Sequence, residues 1–129
     1  MEVRIAIDTN RYRDFCVGVL EAVECFAQVE EIVVTHILLA ELRAGFLCGT
    51  CASRNERTLI AFLNRSRVSM VFPDEDTTHH YARLFKQLRV QGTPIPTNDI
   101  WVAALVLQHD LMLYSRDEHF ERLPQIPRL

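Results

Sequence analysis

Val3, Ile5 and Ile7 alternate along Val3–Asp8 around a small Ala6, the period-two pattern of a short buried strand. Asp8-Thr9-Asn10 then supplies helix-starting side chains, and Phe15, Val19, Leu20, Val23 and Phe26 follow at helical spacing. Glu31–Thr35 (EIVVT) is a second β-branched run. From about Ile37, Leu38, Leu42 and Phe46 share a helix face, and Leu59, Ile60 and Leu63 predict a helix over Arg54–Asn64. Val68–Phe72 predicts a third strand, stopped by Pro73. Asp74–Gln91 predicts a long amphipathic helix, with Tyr81, Leu84, Phe85 and Leu88 on one stripe. Gly92-Thr93-Pro94-Ile95-Pro96 breaks it. Thr97 is expected to cap the next helix, whose apolar face is Ile100, Ala103, Ala104 and Leu107. Leu111–Tyr114 predicts a fourth strand and Asp117–Arg122 a short helix, and a fifth strand would start at Ile126. Strands alternate with helices and no hairpin dipeptide joins them. This predicts an α/β domain over 1–129, with a central parallel sheet of four to five strands covered by helices on both faces.

Composition narrows the function. The 129 residues are 49% apolar and 24% charged, as in ordinary globular domains, and the formal net charge is −3. That balance excludes a domain that coats nucleic acid through bulk positive charge. The bases are 13 Arg and one Lys, and Lys86 falls in a helical pattern, which argues against lysine chemistry. Eight residues, Ile100–Leu107, make the longest apolar run, far below the roughly twenty of a membrane span. The first residues show no basic region leading into an apolar stretch, and Cys16, Cys25, Cys48 and Cys51 are then expected as reduced thiols of a cytoplasmic protein.

Four carboxylates carry the chemistry. Asp8 closes the first strand, Asp117 follows the fourth, Glu41 lies in the helix after the second, and Asp99 sits in the first turn after the proline loop. Parallel α/β sheets bind ligands at the carboxyl ends of their strands, where Asp8 and Asp117 fall directly. Each acid has an ordinary use: Asp8 as a cap, Asp117 as a spectator within a Ser115–Glu118 capping box, Asp99 beside a helix dipole, Glu41 in solvent. Converging acids repel unless a cation neutralises them, and a hard divalent ion with oxygen ligands does so.

Asp8-Thr9-Asn10, Glu41-Leu42-Arg43-Ala44-Gly45-Phe46, Pro96-Thr97-Asn98-Asp99 with Ala103-Ala104, and Ser115-Arg116-Asp117-Glu118-His119-Phe120 occur in that order. The set resembles a PIN-domain ribonuclease of the VapC kind, the toxin half of VapBC-type toxin–antitoxin pairs. The resemblance spans essentially the whole chain. It implies a site of Asp8, Glu41, Asp99 and Asp117 that binds one or two Mg²⁺ or Mn²⁺ ions and hydrolyses RNA phosphodiesters. It also implies support of the acids by hydrogen bonds from Asn10 and Ser115, a homodimer, and an antitoxin protein whose tail docks near the site. Thr9-Asn10-Arg11-Tyr12 departs from the aliphatic residues common after the Asp8-Thr9-Asn10 run, which bears on substrate contacts.

Arg11, Arg13, Arg43 and Arg116 lie within five residues of a site acid. RNA phosphates are one use for them, and solvated surface or ion pairs the other. Cys48-Gly49-Thr50-Cys51 trails a helix rather than opening one after a strand, so incidental thiols are expected there. Only the remote His79-His80 offers further zinc ligands. His79 and His80 are expected in solvent and Trp101 in the core or a dimer interface; His119, close to Asp117, could reach substrate but is expected packed or exposed.

Aspartyl-phosphate enzymes also group acids at strand ends. A receiver needs a lysine after a late strand, and haloacid-dehalogenase-like phosphatases need an Asp where this chain has Asn10. The remaining alternatives are a non-toxin RNA-processing nuclease and a non-catalytic RNA- or protein-binding module on the same fold.

Overall fold

Four short strands, β1 (Arg4–Ile7), β2 (Glu31–Thr35), β3 (Val68–Val71) and β4 (Met112–Tyr114), pair in parallel in the order β3-β2-β1-β4 in the computed structural model, which describes residues 2–129. Between them run α1 (Thr9–Cys16), α2 (Leu20–Gln28), α3 (His36–Cys48), α4 (Ala52–Leu63), α5 (Glu75–Gln91) and α6 (Thr97–Gln108). A 3-10 turn, Glu118–Arg122, follows β4.

The strand alternation sorts the core into two layers. Ile5, Ile7, Ile32, Val34 and Tyr114 face Phe26, Leu38, Leu42, Leu59 and Phe62 from α2, α3 and α4. Ala6, Val33 and Leu113 point to the other side, against Leu84, Leu88, Ala103, Val106 and Phe120. Both faces of the sheet are therefore dry, which is why its strands read as near-continuous apolar runs. Helix α6 is buried beyond the single expected stripe, with Val102, Leu105 and Val106 inside as well as Ile100, Ala103 and Ala104.

Three local expectations are corrected. The helical pattern from Phe15 to Phe26 is two helices, because Gly18 takes φ +79° between them. Thr97 does not cap α6: Pro96 holds that place, its carbonyl accepting from the amides of Asp99 at 3.0 Å and Ile100 at 3.3 Å. Beyond Ile126 there is one bridge, Leu113 to Arg128, and no fifth strand. Pro127 lends its carbonyl to the Leu113 amide at 2.8 Å, but without an N–H it cannot carry a ladder onward.

From β1 the chain moves outward to β2 and β3 on one side and returns to β4 on the other. The strand order thus reverses at β1, and a crevice opens above the carboxyl ends of β1 and β4. No helix is long and apolar enough to cross a membrane among the described residues.

Candidate active site at the carboxyl edge of the sheet

Asp8 follows β1 directly and serves as the N-cap of α1, one oxygen accepting from the Arg11 amide at 2.9 Å. Its other oxygen accepts from the hydroxyl of Ser115, the first residue after β4. Ser115 is buried, and its Oγ also accepts from the Asp117 amide at 3.0 Å. Asp117 in turn caps the 3-10 turn through the His119 amide at 2.9 Å. One run of hydrogen bonds therefore fixes the end of β1 to the end of β4. The expected Ser115–Glu118 capping box is not how this turn closes, because Ser115 is spent on Asp8 and Asp117.

Asp99 enters from the first turn of α6. His119 Nδ1 lies 2.8 Å from Asp99 Oδ2 and 3.1 Å from Asp117 Oδ1, so the ring stands between the two acids. Burial pushes the Asp99 carboxyl above its ordinary range, His119 opposes that through its hydrogen bond, and the charges of Asp117 and Glu41 add to the rise. Glu41 is exposed on α3, where its Oε1 accepts from Thr9 Oγ1 at 3.2 Å. Helix α3 is aimed here by Thr35 at the end of β2, a fully buried N-cap that accepts from the Leu38 amide at 3.3 Å.

Asp8, Glu41, Asp99 and Asp117 line one open cleft of about 490 Å³, together with Thr9, Asn10, Arg13 and Thr35. The four acids marked in the sequence are brought together. The supporting set differs from expectation. Ser115 does brace Asp8, but Asn10 makes no hydrogen bond to an acid among the described residues, and Thr9 braces Glu41 instead. His119, expected to be a bystander, belongs to the acid cluster. The signal available in the sequence was its place two residues after a capping Asp.

Three of the arginines are engaged elsewhere. Arg11 is 7% exposed, lies 4.0 Å over the Tyr114 ring and pairs with Asp14 at 3.5 Å and Glu21 at 3.3 Å. Arg43 forks onto Glu56 of α4, outside the cleft. Arg116 is held by Asp14 at 3.0 Å. Arg13 is the one that lines the cleft.

The donor set suits a hard divalent cation. Four carboxylates face one space with a single imidazole between two of them, and Asp99 already resists ionisation there. Among the described residues, Asp99, Asp117 and His119 form the one group of potential ligands whose atoms all lie within 4.8 Å of one another. Cys48 and Cys51 carry free thiols and join no such group, His79 is exposed and His80 half-buried, and Trp101 packs on Tyr81 with ring centres 4.3 Å apart.

The family model for the PIN domain matches residues 5–126. The chain belongs to the PIN-domain family. Among PIN-domain relatives, Ribonuclease VapC1 of Haemophilus influenzae strain R2866 is 30% identical over 100 residues, covering 75% of this chain and 72% of that protein. Ribonuclease VapC4 of Mycobacterium tuberculosis is 27% identical over 93 residues, 72% of each chain. The structure of VapBC-1 from nontypeable Haemophilus influenzae superposes with a TM-score of 0.86 at 23% identity, covering 98% of this chain and 97% of that one. Mycobacterium tuberculosis VapC20, a Sarcin-Ricin loop cleaving toxin, gives a TM-score of 0.72 at 13% identity over 97% and 98% of the two chains. At these identities the structures establish the PIN fold, and with it the receiver and dehalogenase-like readings fall away.

Proposed function

We propose that this PIN domain is a divalent-cation-dependent endoribonuclease and acts as the toxin of a toxin–antitoxin pair. The observation that carries the reading is the convergence of Asp8, Glu41, Asp99 and Asp117, from four separate segments, on one cleft. The ribonuclease relatives support it.

Asp8, Glu41, Asp99 and Asp117 would hold one or two Mg²⁺ or Mn²⁺ ions, with His119 against the Asp99–Asp117 side. A bound ion of this kind lowers the pKa of water, orients a phosphate and offsets charge on the departing oxygen. The protein's own part is preorganisation. Ser115 clamps Asp8 and the Asp117 backbone in one hydrogen-bonded unit, Thr9 restrains Glu41, and His119 keeps Asp99 and Asp117 from splaying apart. Neither Lys nor a free histidine base is needed at the reacting atoms.

The solved VapBC complexes support an antitoxin protein as partner, and a cytoplasmic site of action goes with an RNA substrate. A second copy of the chain is the other expected partner. Met70, Phe72, Phe85 and Val90 leave apolar surface exposed in and beside β3 and α5 for it to cover.

The experiment is cleavage of RNA by purified protein with Mg²⁺ or Mn²⁺, followed by analysis of the new ends. Attack by water leaves linear phosphate ends, and EDTA stops the reaction. Cyclic 2′,3′-phosphate ends, which require attack by the RNA's own 2′-hydroxyl, or cleavage undiminished by EDTA, would overturn the reading.

A further inference from the structure

An acidic cleft that receives RNA has an electrostatic problem apart from its metal: the backbone on either side of the cut phosphate is repelled by the same carboxylates. Six arginines lie within five residues of a site acid, and the fold commits five of them: Arg4 pairs with Glu31 and Arg122 donates to the Pro94 carbonyl. Arg11 is buried against Tyr114, Arg116 is bound to Asp14, and Arg43 is forked onto Glu56. Arg13 remains. It is exposed, it is the one cation lining the acidic cleft, and it makes no ion pair among the described residues.

Its position is built by two helices. Arg13 projects from the last turn of α1 towards α3, where its Nη2 lies 4.0 Å from the point a Cβ on Gly45 would occupy. Gly45 is one helical turn beyond Glu41, so the guanidinium lies against α3 on the side that carries that acid. A guanidinium with five donors in a planar fork matches the non-bridging oxygens of a phosphodiester, and an unpaired one loses no protein partner on binding.

We propose that Arg13 grips an RNA backbone phosphate at the mouth of the cleft, making it a substrate-positioning residue of this nuclease. The inference rests on the ribonuclease reading and names how that site holds its substrate. Placement near the carboxyl end of α1, where a base complements the helix dipole, does not by itself require a cleft-facing, unpaired side chain.

The test is fluorescence anisotropy with a labelled single-stranded RNA of mixed sequence, in an Asp99→Asn background that does not cut, across a range of salt. Arg13→Ala should weaken binding by about 10-fold and flatten the slope of log affinity against log salt by about 0.7, the signature of one lost single-strand phosphate contact. Arg13→Lys keeps the charge without the fork and should recover the slope but only part of the affinity. Arg116→Ala, whose guanidinium is already held by Asp14, should leave the slope as it was. The Arg13 variants should keep the thermal midpoint of the Asp99→Asn parent, since Arg13 has no ion-pair partner among the described residues. An unchanged slope in folded Arg13→Ala overturns the inference and leaves the nuclease reading standing. Failure of the Asp99→Asn parent to bind RNA at all overturns both.

Discussion

Asp8 and Asp117 have a structural duty as well as a place in the site, and the two are not in competition. Asp8 caps α1 with one oxygen and meets Ser115 with the other; Asp117 caps the 3-10 turn while facing His119 and Asp99. Capping is what orients them, because a carboxylate tied to a helix start has few rotamers left. Asp99 lacks a capping bond to restrain its charge, and burial lifts its proton affinity above that of the unfolded chain. The sign follows from linkage. An acid whose folded pKa is raised binds its proton more tightly in the native state, so it lowers stability once pH climbs past the ordinary carboxylate range. Metal-free Asp99→Asn protein should therefore melt at a higher temperature than wild type at neutral pH. The gap should close as pH falls below that range, where both side chains are neutral. Calorimetry across pH checks this, and a neutral-pH midpoint at or below wild type would count against the strain assigned to Asp99.

At the scale of elements, the strand and helix sequence was legible because each strand of this doubly covered parallel sheet is a short, largely apolar run bounded by polar or helix-starting residues. Asp8, Asp99 and Asp117 were legible for the same reason: their positions are set by where elements start or end. Glu41, inside α3, was marked by its place in the family-like run Glu41–Phe46. What stayed hidden depends on partners distant in sequence. Arg43 finds Glu56 and Arg116 finds Asp14 only through tertiary packing, and nothing local separates them from Arg13. The split between α1 and α2 was hidden differently, since the hydrophobic period runs on across Val17–Val19 although the backbone turns at Gly18. The glycine itself was the available sign. A side chain meets no obstacle there, so the cost of replacing it is purely conformational. Gly18→Ala should destabilise the protein by about 1–2 kcal/mol, the cost of a left-handed non-glycine residue, as read by denaturant unfolding. Cleavage per folded molecule at saturating RNA should be unchanged, because the four acids are held away from Gly18, at the other end of α1 and on other elements.

For the whole molecule, the net charge of −3 conceals an uneven distribution. Setting aside the four site acids leaves 13 acids against 14 bases, so the rest of the chain is at +1. The other acids are thus balanced by bases, and the excess negative charge is accounted for by the cleft, where a divalent cation fits. The strand-order reversal at β1 places it there. Holding the ends of β1 and β4 together through Ser115 converts a topological feature into a rigid set of ligands. If that cleft is where RNA is cut, one side chain should decide the activity without deciding the fold. The direct measurement is the rate of RNA cleavage in Mg²⁺ by wild-type and Asp99→Asn protein at equal folded concentration. A loss of about 100-fold or more, with the fold intact by circular dichroism, is the predicted result. Asp99→Asn protein that cuts RNA at the wild-type rate would contradict the assignment of this cleft as the catalytic site.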